Sequence, residues 1–176
     1  MTENPQAPTP DDKDWTWVLD RPCPECGFST GPDPAAVPET LRNSVERWTT
    51  VLARPDVAER PAPQVWSPLE YGCHVRDVCR VFRERLLLML RSDDPEFDNW
   101  DQDATALESR YWESAPKKVS HELASAAGAM AEVLETVSGD EWQRTGRRSN
   151  GSVFTVETLA WYFLHDDLHH LHDVQG

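Results

Sequence analysis

Apolar residues recur every three or four positions in four stretches of the chain. Leu41, Val45, Trp48 and Leu52 form the first, a helix from about Pro38 that has Pro in its first turn and Pro55 just past its end. Ser67-Pro68-Leu69-Glu70 is a capping box with Pro at the first helical position. Apolar residues continue from it through Leu90, so the second helix should exceed about 20 residues. In the third, from about Lys117 to Ser138, Leu123, Ala127, Met130, Leu134 and Val137 share one stripe and Gly139 is the stop. The fourth opens near Thr155 and runs through Leu159, Phe163, Leu164 and Leu168 into the C-terminal residues. Asp93 to Glu113 is a long acidic connection with a short helix expected at Ala104 to Tyr111, and Asn150-Gly151 marks a tight turn. Four helical signals with hardly any strand signal predict an all-α four-helix bundle with one long crossover, over residues 35–176.

Residues 1–34 read differently. Pro5, Pro8, Pro10, Pro22, Pro24, Pro32 and Pro34 interrupt them and no apolar period appears, so an irregular N-terminal extension is expected. Trp15, Trp17, Val18, Leu19 and Phe28 should hold it against the bundle from about Trp15 onward, with Met1 to Asp14 loose.

At 176 residues the chain is one ordinary domain. Its 31 acidic against 17 basic residues give a formal charge of -14, which repels phosphate backbones and anionic lipid heads, so no nucleic acid partner is expected. The longest apolar run, Leu86 to Leu90, is far below the roughly 20 residues that span a bilayer. No secretory leader is evident, and a cytoplasmic protein acting on a small molecule is expected, in which a homodimer would follow the general habit of small bundles.

Six histidines occur, four of them in His165-Asp166-Asp167-Leu168-His169-His170-Leu171-His172. At about 100° per residue, His165, Leu168, His169 and His172 fall on the side of Trp161, while Asp166, Asp167 and His170 point elsewhere. His165 and His169 stand one turn apart, a spacing at which two imidazoles converge on one ion. His74 shares a face of the second helix with Val78, Phe82 and Met89 and should also point inward. His74, His165 and His169 would then make a three-nitrogen site with open positions, suited to zinc and tolerant of nickel, iron or manganese. Histidines near a helix C-terminus also interact with its dipole, and a single histidine on an apolar face is ordinarily a hydrogen-bonded core residue, so the spacing leaves both readings open. His172 rivals His165 on geometry.

Trp66-Ser67-Pro68-Leu69-Glu70 with His74 four residues later, followed by His165-x-x-x-His169-His170, resembles the DinB/YfiT superfamily over residues 38–174. The resemblance implies a four-helix bundle holding a divalent metal through one histidine of the second helix and two of the last, here His74, His165 and His169. It also implies a candidate chemistry. Relatives include bacillithiol or mycothiol S-transferases and a mycothiol-dependent maleylpyruvate isomerase, so a metal-dependent thiol S-transferase or isomerase using a low-molecular-weight thiol is expected. The alternative is a non-catalytic module with a structural or sensed ion.

Further residues enter by their chemistry. Asp101 and Asp103, in Trp100-Asp101-Gln102-Asp103, are candidate general bases beside aromatic anchors. Arg147 and Arg148, with Arg144 ahead of the last helix, could grip a substrate carboxylate. Cys23 and Cys26, in Cys23-Pro24-Glu25-Cys26-Gly27, are a candidate second metal or redox pair or else two thiols in a loop packed under the bundle, whereas Cys73 reads as a small buried apolar residue. If Cys23 or Cys26 completed the histidine site, the ion would be structural.

Overall fold

The computed structural model describes residues 5–10 and 13–176; the part of the expected loose terminus at 1–4 and 11–12 lies outside them. Five α-helices, α1 (Val37–Leu52), α2 (Pro68–Arg91), α3 (Gln102–Glu108), α4 (Pro116–Thr136) and α5 (Val156–Asp173), carry the fold. Three short strands, β1 (Glu96–Phe97), β2 (Thr145–Arg148) and β3 (Val153–Thr155), make a small sheet in that order, β1 parallel to β2 and β2 antiparallel to β3.

Each long helix starts where local chemistry tells it to. Ser67 accepts from the Glu70 amide, and Glu70 accepts in return from the Ser67 backbone and hydroxyl, both at 2.9 Å. Thr155 and Thr158 make the equivalent reciprocal pair at the start of α5. The short helix begins two residues earlier than expected, because the Asp101 side chain caps it through the Ala104 amide. The helix α4 ends at Thr136 rather than at Ser138, and Gly139, with φ of 52°, opens the following 3-10 turn.

Both α4 and α5 pack against α1 and α2, so α1 and α2, consecutive in sequence, lie at opposite corners of the bundle and approach only near Gly72 and Leu52. Trp48, Leu41, Leu69, Leu86, Met89, Leu123, Met130 and Phe163 fill the centre. The extension lies on α5, as its aromatic residues predicted: Val18, Cys23 and Phe28 are buried and Trp15–Leu19 forms a 3-10 turn against the helix. Its described leading residues are also tied down. Thr9 donates to the Gln64 carbonyl at 3.1 Å, and Arg60 donates to the Gln6 carbonyl at 2.6 Å.

The sheet is the one element the sequence pattern does not announce. Arg144, expected with Arg147 and Arg148 in an anion grip, instead closes the end of α2 by donating to the Met89 and Ser92 carbonyls at 2.7 and 2.8 Å. Asn150-Gly151 turns the β2–β3 hairpin, where Gly151 has φ of 99°.

Candidate metal centre

The helix α5 is covered on three sides. Val156, Ala160, Leu164, Asp167 and Leu171 are among its buried residues, and Asp167 accepts a hydrogen bond from the Trp48 indole of α1 at 2.7 Å. His165 and His169 turn toward the extension, where Trp15 and Phe28 pack on their rings. Asp166 and His170 face His74. The residues expected to point elsewhere therefore meet α2, because the extension covers a side that four helices alone would leave open.

The three histidines expected together are distributed over two clusters. One consists of His74, Asp166 and His170, whose donor atoms lie within 4.8 Å of one another. His74 Nε2 is 3.3 Å from Asp166 Oδ1, and His170 Nε2 is 3.8 Å from the same oxygen. The other consists of Cys23, Cys26, His165 and His169, also within 4.8 Å. His172, the rival ligand, is exposed and belongs to neither cluster among the described residues.

Asp173 stands behind both. It accepts from His170 Nδ1 at 3.0 Å through one oxygen and lies 3.8 Å from His169 Nε2 through the other. On a wheel of about 100° per residue Asp173 falls between His169 and His170, which is why one carboxylate reaches both. A carboxylate on the far nitrogen is the usual support of a metal-ligating imidazole: it fixes the tautomer and raises basicity.

Electrostatics favour a cation at the first cluster. Burial opposes ionisation of Asp166, but His74 and His170 outweigh it and hold the carboxyl down at about 2. Burial also opposes protonation of His170, and here Asp166 and Asp173 win and raise its pKa. At the second cluster burial, followed by repulsion from His169, lowers His165 to about 4, so its imidazole is neutral at pH 7. His74 Nε2, Asp166 Oδ1 and His165 Nε2 are all buried and make no well-aligned hydrogen bond among the described residues, the first two facing each other only as an ion-pair contact. A buried polar atom without a hydrogen bond costs roughly 1–3 kcal/mol, and three of them converging on two donor clusters fit residues that hold ions.

A cleft of about 1170 Å³ is lined by Asp166 and His170 of the first cluster, by His165 and His169 of the second, and by Tyr71, Trp100 and Tyr162, among others, with His74 buried behind it. Trp100 stacks on His74 with ring centroids 5.5 Å apart and planes 7° from parallel. Its indole donates to Thr105 at 2.8 Å, which fixes the acidic loop so that Asp101 and Asp103 also line the cleft. Arg148 lines it too, held by Asn150 and Ser152 at 2.9 and 3.1 Å. Arg147 does not; it pairs with Asp94 outside the cleft. Cys73 is fully buried, 3.9 Å from the Tyr111 carbonyl, and burial pushes its thiol up to about 11.

Asp166, His170 and Asp173 escaped the sequence reading as a set. Asp166-x-x-x-His170 has the same one-turn spacing as His165-x-x-x-His169, and that was the signal available.

Comparison with known proteins gives the same architecture. YfiT from Bacillus subtilis, described as a probable metal-dependent hydrolase with an unusual four-helix bundle topology, superposes with a TM-score of 0.71 over 82% of this chain and 89% of that one, at 15% identity. That likeness shows the fold. None of the curated proteins compared with the chain matches it. Residues 55–174 match the family model of the DinB superfamily, well over half of the sequence, and the chain belongs to that superfamily.

Proposed function

We propose that this protein is a divalent-metal-dependent enzyme that activates a small nucleophile, a low-molecular-weight thiol or water, against a small molecule held in the cleft. The observation that carries the reading is the convergence of His74, Asp166 and His170, the last two lining the cleft and His74 buried behind them, with His74 Nε2 and Asp166 Oδ1 facing each other at 3.3 Å. Two imidazoles and a carboxylate suit zinc, nickel, iron or manganese. A fourth protein ligand, which a purely structural ion would ordinarily have, is not among the described residues that converge there.

A bound divalent ion supplies a positive charge that lowers the pKa of a coordinated thiol or water and polarises a substrate oxygen. The chain's own residues supply the rest. Asp173 holds the Nδ1 proton of His170 and so turns its Nε2 lone pair toward Asp166. Trp100 and Trp66 cover the His74 ring and exclude water from it. Asp101 and Asp103 line the cleft and are placed to take the nucleophile's proton; Asp101 uses Oδ1 to cap α3. Arg148 is the cation on the wall that would receive a substrate carboxylate.

The test loads the full chain with zinc, nickel, manganese or iron and assays two reactions: consumption of a free thiol with an electrophile, and hydrolysis of ester and amide model substrates. Activity should require the metal and fall at least about 100-fold in His170→Ala. Metal content and activity unchanged in that variant would refute the site.

A further inference from the structure

Cys23, Cys26, His165 and His169 form a second group that the proposed reaction does not use, although His165 and His169 reach the edge of the same cleft. Cys23 Sγ lies 3.8 Å from His169 Nδ1. A tetrahedral zinc ion with its usual bond lengths, about 2.3 Å to sulfur and 2.0–2.1 Å to nitrogen, sets that edge at about 3.6 Å. The other nitrogen of His169 faces Glu25 Oε2 at 3.6 Å and Asp173 Oδ1 at 3.8 Å, the carboxylate support a ligating imidazole takes.

The chain between the cysteines is shaped for the purpose. The Cys23 amide donates to the Phe28 carbonyl and the Gly27 amide to the Cys23 carbonyl, both at 2.8 Å. Gly27 has φ of 76°, a conformation that glycine adopts without the penalty a side chain brings. This tight turn presents both sulfurs to the same side of α5, and the Phe28 amide bonds to Cys26.

Neither rival use accounts for the group. As a redox pair the thiols would have no use for the two imidazoles that converge on them within 4.8 Å. As plain packing they would leave His165 Nε2 buried without a partner.

We infer that Cys23, Cys26, His165 and His169 form a second, closed, structural zinc site that fastens the N-terminal extension to α5. Charge supports the division of labour. Two thiolates and two neutral imidazoles cancel the charge of a divalent ion, with the two thiol protons released on binding, and a neutral cluster suits a place where Cys23, His165 and His169 are 1%, 4% and 7% exposed. The centre at His74 has one carboxylate, which leaves a net positive charge and room for a nucleophile. Trp15, 4.9 Å from the His169 ring, and Glu25 line the cleft, so the clamp also fixes one of its walls.

The inference is independent of the catalytic reading, and one experiment separates them. Elemental analysis of the full chain should give two ions, of which a Cys23→Ser, Cys26→Ser variant loses one and His170→Ala loses the other. Cobalt(II) substituted into the wild type should show a thiolate-to-metal charge-transfer band, retained in His170→Ala and missing from the cysteine variant. If the cysteine variant does not fold, a mercurial titration of the wild-type thiols, followed with a chromophoric zinc indicator, should release one ion. A cobalt protein without the thiolate band, or a cysteine variant with an unchanged ion count, would overturn the inference. One ion with the band would uphold it and remove the ion from the His74 centre; one ion without the band would do the reverse.

Discussion

Replacing Glu70 tests how the second helix, and with it His74 one turn further on, is anchored. Its carboxylate is 1% exposed and accepts from the Ser67 amide and hydroxyl at 2.9 Å, from Arg60 Nε at 2.8 Å, and from Arg60 Nη2. Arg60 in turn holds the Gln6 and Pro63 carbonyls at 2.6 and 2.7 Å. Glu70→Ala removes half of the capping box, about 1 kcal/mol. It also leaves the Arg60 guanidinium without its charged partner, and breaking a fully buried pair costs about 3–5 kcal/mol. The Arg60 side chain is 13% exposed and keeps its carbonyl acceptors, so about 2 kcal/mol is a fitting share, for a total near 3 kcal/mol. For a chain of this length each kcal/mol lowers Tm by about 2–4 °C, which predicts a fall of roughly 6–12 °C by calorimetry or circular dichroism. Glu70→Gln keeps an oxygen for the Ser67 amide and loses only the charge, so it should fall by roughly 3–5 °C. An alanine variant melting with the wild type, or below it by no more than the glutamine variant, would refute the reasoning.

Other expectations follow from single contacts. Gly146→Ala should destabilise by about 1–2 kcal/mol in urea denaturation, because a Cβ there would lie 2.7 Å from Met89 and 3.1 Å from Phe97. Burial opposes ionisation of Asp77, but hydrogen bonds from Arg76 and Tyr111 outweigh it and hold its pKa below the ordinary carboxylate range. Its stabilisation is therefore complete above the unfolded value of about 3.9 and is lost as pH falls through the folded one. Asp77→Asn should cost about 2 kcal/mol at pH 7 and flatten the acid limb of a stability-against-pH curve below about pH 4. Trp100→Ala should quench the tryptophan fluorescence change that accompanies metal titration and weaken ion retention in a chelator competition, since the stacked cover over His74 is gone.

The long helices were legible because their starts are written twice, once in apolar spacing and once in a capping side chain at α2 and α5 or a first-turn proline at α1, α2 and α4. Pro68 and Thr155 mark those starts in the structure as in the sequence. The strands were not, since two to four residues are too few to show alternation and Thr145–Arg148 buries only a glycine. The histidine-rich helix was legible as a place for ligands and ambiguous in its faces. Placing one side inward assumes a helix half in water, and α5 is covered by α1, by α2 and by the extension. Residues of every face are then available, and only the tertiary structure pairs Asp166 and His170 with His74. The cysteine knuckle was visible in sequence, but its partners lie far along the chain, as in the contact of Cys23 with His169 across 146 residues.

The diagonal placement of α1 and α2 bears on the assembly of the two ligand clusters. Two helices adjacent in the chain have little to offer each other, and each buries its apolar stripe chiefly against α4. In the bundle α4 joins α1 to α2, and these three leave one flank that α5 covers. The helix α5 closes that flank and carries Asp166, His170, His165 and His169 with it. Ligand convergence thus requires α5 to be docked, and an ion held at either cluster would bind the docked form alone and so hold that helix in place.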